Sequence, residues 1–86
     1  MSDDAAARND IRSKVLGLAR SRGLKAASLR DDEVIPETGL LDSAAIMELI
    51  VWLETRFDIE IDQADLTLEN FGTVDAMVEY VSRAMA

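Results

Sequence analysis

The chain has no cysteine and no histidine, and it contains one proline, four glycines, one tryptophan, one tyrosine and two phenylalanines. Without cysteine there is no disulfide framework, no thiolate nucleophile and no Cys-ligated metal. Without histidine the usual proton shuttle and the commonest metal ligand are gone as well. Few groups remain for catalysis beyond carboxylates, hydroxyls and one phenol, so an enzyme is disfavoured and no metal or catalytic residue is expected. No run approaches the roughly 18 consecutive apolar residues of a membrane span. Met1-Ser2-Asp3-Asp4 has the wrong sign for a secretory signal. The expectation is a cytoplasmic protein with no membrane span.

What is present is apolar and acidic. Apolar residues make up 49% of the 86 residues, enough for one small helical domain over residues 1–86, with residues 1–3 expected to be disordered and the protein monomeric. The net charge of −8 is unevenly spread, because residues 42–70 hold eight acids against one base. Such a field repels nucleic acid and either attracts basic protein surfaces or serves solubility alone. The bases near the N-terminus, from Arg8 to Arg30, have no interleaved aromatics, so no nucleic-acid partner is expected.

Apolar periodicity predicts four helices. Ile11, Val15, Leu18 and Ala19 follow one helical face, giving a first helix over about 4–21 that Gly23 ends. From Leu24 to Leu41 the period is lost. Pro36 and Gly39 are expected to break any helix there, Asp31-Asp32-Glu33 to face water, and the apolar residues to pin the loop, with one helical turn near Ser28. In the second helix, over 43–57, Ile46, Ile50, Leu53 and Phe57 lie within about 40° of one another, with Leu49 on the flank. Residues 58–62 alternate like a strand that has no partner, so they are taken as an extended link. Thr67 is expected to cap a short helix through Phe71, Gly72 to reverse the chain, and Thr73 to cap a last helix over about 74–84. The core face of that helix would be Val74, Met77, Val78, Val81 and Met85.

The candidate site is the step Gly39-Leu40-Leu41-Asp42-Ser43 at the start of the second helix. Asp42 is a good N-cap. If Ser43 capped instead, its capping-box partner would be Ile46, which has no side-chain acceptor. Ser43 then stands in the first turn, where open N–H groups and the helix dipole favour an anion such as a phosphodiester. A shared role in capping is the other reading.

The order of helices, the long first loop, Leu41-Asp42-Ser43 and the offsets of Ile46, Glu48-Leu49, Leu53-Glu54 and Phe57 resemble the acyl carrier protein family over about residues 8–84. The resemblance implies an all-α four-helix bundle with a short third helix. It also implies a 4′-phosphopantetheine arm, derived from coenzyme A, on Ser43, with Asp42 in the motif read by a phosphopantetheinyl transferase. A thioester-bound acyl or aminoacyl intermediate in lipid or secondary-metabolite biosynthesis follows from that, together with an acyl- or aminoacyl-activating ligase and downstream transferases as partners. Fatty-acid carriers usually follow the serine with Leu and Asp, where this chain has Ala44 and Ala45. It looks closer to stand-alone aminoacyl or peptidyl carriers, such as the D-alanyl carrier family, and to a dedicated pathway.

On the second helix Trp52 falls about 200° from Ile50 and so points away from the inferred core. It is read either as a contact for partners or as a residue covered by the loop or the short helix. Ala44, Met47, Glu48, Val51, Trp52 and Glu54 form the candidate partner face, with Asp58 as a further acidic contact. The alternative function is an unmodified acidic helical adaptor that binds a partner through this helix.

Overall fold

The computed structural model describes residues 2–23 and 29–85. Leu24 and the helical turn expected near Ser28 lie outside them. The order is α1 (Ser2–Ser21), α2 (Ile35–Thr38), α3 (Ser43–Phe57), a 3-10 turn (Gln63–Asp65), α4 (Leu68–Phe71) and α5 (Val74–Met85), with no strand among the described residues. The helical bundle is the expected architecture with a fifth, single-turn helix added.

The α1 helix begins at Ser2, so two of the three residues expected to be disordered are helical, and Met1 lies outside the described residues. Its stripe of Ile11, Val15, Leu18 and Ala19 is buried, joined by Ala7 one turn earlier. The helix ends as anticipated at Gly23, whose N–H donates to the Arg20 carbonyl at 3.0 Å.

The α2 turn occupies the segment where Pro36 and Gly39 were expected to prevent a helix. Proline stands in the first turn, where its missing N–H removes no bond, and Gly39 closes the turn at φ 76°. The two residues bracket one turn instead of breaking it. Leu29, Ile35 and Leu41 are buried and pin the loop to the core.

Asp31 does not simply face water. Its carboxylate accepts from Arg8 at 2.8 Å and from Arg12 Nε at 3.0 Å. Its carbonyl accepts the Asp75 N–H at 3.0 Å, and Arg8 also binds the Asp75 carboxylate. The loop is thereby tied to α1 and α5 at one point.

In α3 the buried residues are Ala45, Leu49, Ile50 and Leu53, while Ile46 and Phe57 are half-buried. The core face is rotated toward Leu49 relative to the stripe read from the sequence. The reason is that α3 packs on both α1 and α5, and its Ile46 edge is left facing a groove. Asp58 caps the helix in the left-handed region at φ 54°, a conformation that Asp tolerates better than most side chains. The link beyond is held by Glu54, whose Oε2 accepts the Ile61 N–H at 2.9 Å.

Thr67 caps α4 and Thr73 caps α5, accepting from Asn70 at 3.3 Å and Ala76 at 3.0 Å respectively. Between them Gly72 donates to the Leu68 carbonyl at 2.7 Å and accepts from Ile35 at 2.7 Å, which docks α2 on the end of α4. Val74, Met77, Val78 and Val81 are buried, but Met85 is 60% exposed because the last turn runs past the core.

Candidate functional site

The head of α3 is built by its cap. Asp42 has extended backbone angles and its Oδ1 accepts the Ala45 N–H at 2.9 Å, while its carbonyl accepts from Ile46 at 2.9 Å. The remaining oxygen, Oδ2, accepts from Arg22 Nη1 at 3.0 Å. With both oxygens engaged the carboxylate is fixed in orientation, and the helix start has no need of Ser43 as a cap.

Ser43 is therefore the first helical residue, and it is exposed. Its hydroxyl has no hydrogen-bond partner among the described residues. Ala44 beside it is also exposed, so the approach is flanked by a methyl group and not by a bulky side chain. The first N–H groups of an α-helix have no intrahelical acceptor and carry the positive end of its dipole. A free hydroxyl, open N–H groups and a neighbouring guanidinium suit a phosphodiester, so the residues fit the attachment of 4′-phosphopantetheine at this place.

One turn along the same face, Ile46 and Met47 edge a mainly apolar groove of about 250 Å³ whose lining includes Pro36, Leu66, Leu68 and Phe71. Met47 is 52% and Leu68 63% exposed. Val51 at 58% continues the apolar surface along the helix. Leu68 was not among the residues singled out from the sequence. The only local sign was an apolar residue at the first position of a capped helix too short to bury it.

The other candidate partner residues divide. Glu48 is exposed, whereas Trp52 and Glu54 are half-buried. Trp52 does not point freely away from the core. Its ring packs edge-on against Phe57 with centroids 5.9 Å apart, and Lys14 Nζ lies 5.8 Å from the ring centre. The 200° offset is countered by the reach of the indole back to the α1–α3 seam. Glu54 is occupied by Ile61, and Asp58 is exposed at the helix end.

Electrostatics also hold the loop that delivers the site. The Arg12 guanidinium, and after it Arg8, keep the Asp31 carboxyl below the usual carboxylate range against the opposing effect of burial. Arg8 in turn is held more firmly protonated by hydrogen bonds to Asp75 and Asp31.

A family model described as "Phosphopantetheine attachment site" matches residues 13–81. Among curated proteins, the D-alanyl carrier protein of Streptococcus sanguinis (strain SK36) is 33% identical over 73 residues, covering 85% of this chain and 92% of that protein. The D-alanyl carrier protein of Streptococcus thermophilus (strain ATCC BAA-491 / LMD-9) is 32% identical over the same shares. That of Streptococcus suis (strain 05ZYH33) is 29% identical over 76 residues, 88% of this chain and 96% of that protein.

Proposed function

Because the chain belongs to the phosphopantetheine-attachment family and is a carrier and not an enzyme, we propose that Ser43 bears the arm and that the cargo is an aminoacyl thioester. The family's 4′-phosphopantetheine is covalent. When bound it supplies a terminal thiol that holds the cargo as a thioester at high effective concentration for each enzyme. The chain's own part is to present one nucleophilic oxygen and to be recognised. Ser43 Oγ forms a bond to the pantetheine-bearing phosphorus of coenzyme A, the bond from that phosphorus to the bridging pyrophosphate oxygen breaks, 3′,5′-ADP leaves with that oxygen, and the serine proton passes to the transferase. Asp42 holds the helix start so that the hydroxyl stays unbound and accessible.

The observation that carries this reading is the exposed, unpartnered Ser43 hydroxyl on the first residue of α3. The aminoacyl cargo is supported by the D-alanyl carrier relatives and by Ala44 and Ala45 standing where fatty-acid carriers have Leu and Asp. The apolar surface of Met47, Val51 and Leu68, edged by Glu48, is the docking face for the transferase, the activating ligase and downstream transferases, at a cytoplasmic site of action.

The test is incubation with coenzyme A and a broad-specificity phosphopantetheinyl transferase, read by intact-protein mass. Wild type gains one phosphopantetheinyl group and Ser43→Ala gains none. Equal modification of both proteins, or of neither, removes the Ser43 assignment. Loading of the modified protein by a D-alanine-activating ligase with ATP, compared with loading by an acyl-activating enzyme, decides the cargo.

A further inference from the structure

A phosphodiester on Ser43 brings new negative charge to the most acidic part of the chain, where residues 42–70 hold eight acids and one base. That base, Arg56, stands at the far end of α3 and pairs with Asp10 at 2.5 Å. The head of the helix receives a cation from elsewhere. Arg22, just past the end of α1, lies twenty positions from Asp42 in sequence and puts Nη1 3.0 Å from its Oδ2. The Arg22 side chain is 38% and the Asp42 side chain 62% exposed. The Nε and Nη2 groups of Arg22 have no partner among the described residues. One donor of the fork is used and the others are available.

We propose that Arg22 is the counter-charge and positioning residue for the phosphodiester on Ser43, bound to Asp42 through one part of its guanidinium and to the phosphate through another. The inference rests on the Ser43 reading above. Two anions on adjacent residues repel each other, and a shared guanidinium offsets that repulsion because it is always charged and offers several donors in one plane. A lysine is a single compact charge and serves one anion well but two poorly. The pair with Asp42 holds the guanidinium on the residue next to the serine before modification, so little ordering is left to be done afterwards. The base of the arm is then fixed while its thiol end stays free to move between enzymes.

The test compares the full chain before and after modification with coenzyme A and a transferase, with the extent of modification at Ser43 checked by mass. In wild type the Arg22 Nε–Hε resonance is expected to shift and to exchange more slowly with solvent once the phosphodiester is present. In Arg22→Gln, modification is expected to lower the folding equilibrium constant about two- to fivefold more than in wild type, an excess that 1 M salt abolishes. Arg22→Lys should recover only part of it. An Arg22 resonance identical in the unmodified and fully modified wild type overturns the proposal, and that measurement needs no variant to fold. Absence of modification at Ser43 overturns the parent reading instead, and the mass measurement separates the two failures.

Discussion

The carbonyl of Gly72 accepts the Ile35 N–H at 2.7 Å while the Gly72 N–H donates to Leu68 at the same distance. One residue thus joins the turn before Ser43 to the corner between α4 and α5. A Cβ built on Gly72 would stand 2.5 Å from the Leu68 carbonyl oxygen, a backbone atom that cannot swing aside as a side chain could. Gly72→Ala is expected to lower the unfolding free energy by about 1–3 kcal/mol in urea denaturation. A variant as stable as wild type would mean that the corner opens without strain.

Acid should loosen the first loop. Asp31 is held below the usual carboxylate range chiefly by Arg12 and then Arg8. A carboxylate depressed in the folded state adds stability above its unfolded pKa of about 3.9 and loses it as the pH falls through the folded value. Asp31→Asn is therefore expected to be less stable than wild type at neutral pH and to lose less between about pH 5 and pH 2. Parallel urea midpoints for the two proteins across that range would rule out this pin as an acid-sensitive tie.

Capping and transferase recognition can be tested separately at Asp42. Asp42→Ala removes the cap to Ala45 and should cost about 1 kcal/mol, with little added by loss of the exposed pair to Arg22. Asp42→Asn keeps a capping oxygen and should recover most of that stability. If the carboxylate belongs to the transferase motif, the rate of phosphopantetheinylation should fall in both variants. A normal rate in Asp42→Asn would confine the residue to capping.

The apolar surface beyond Ser43 gives a contrast between neighbours on one helix. Val51 is 58% exposed, so Val51→Asp should change stability by less than about 0.5 kcal/mol while raising the transferase KM. Leu53, two positions on, is 0% exposed, and Leu53→Ala should cost about 2–5 kcal/mol. Unchanged kinetics for Val51→Asp would place docking elsewhere. Trp52→Ala is a poorer probe, because it also removes the contacts to Phe57 and Lys14.

Much of the architecture was legible because it depends on neighbours in sequence. The span of α3, the Thr67 and Thr73 caps and the end of α1 at Gly23 follow from local propensity and capping chemistry. The α2 turn is hidden when proline and glycine count only as breakers, because their order decides the outcome and Pro at the start with Gly at the end is a helical signature. The 3-10 turn at Gln63–Asp65 has no apolar period and left no signal. Asp31 looked like one member of a solvated acidic run, since nothing local reveals that Arg8 and Arg12 on α1 meet it.

Sequence by itself determined the helical class, the capped start of α3 and the serine placed there, because each depends on contacts within about four residues along the chain. Tertiary structure alone decided which side of α3 is buried, the covering of Trp52, and the arrival of Arg22 beside Asp42. Those outcomes depend on where α1 and α5 lie against α3, and helix packing brings together side chains that no local periodicity relates.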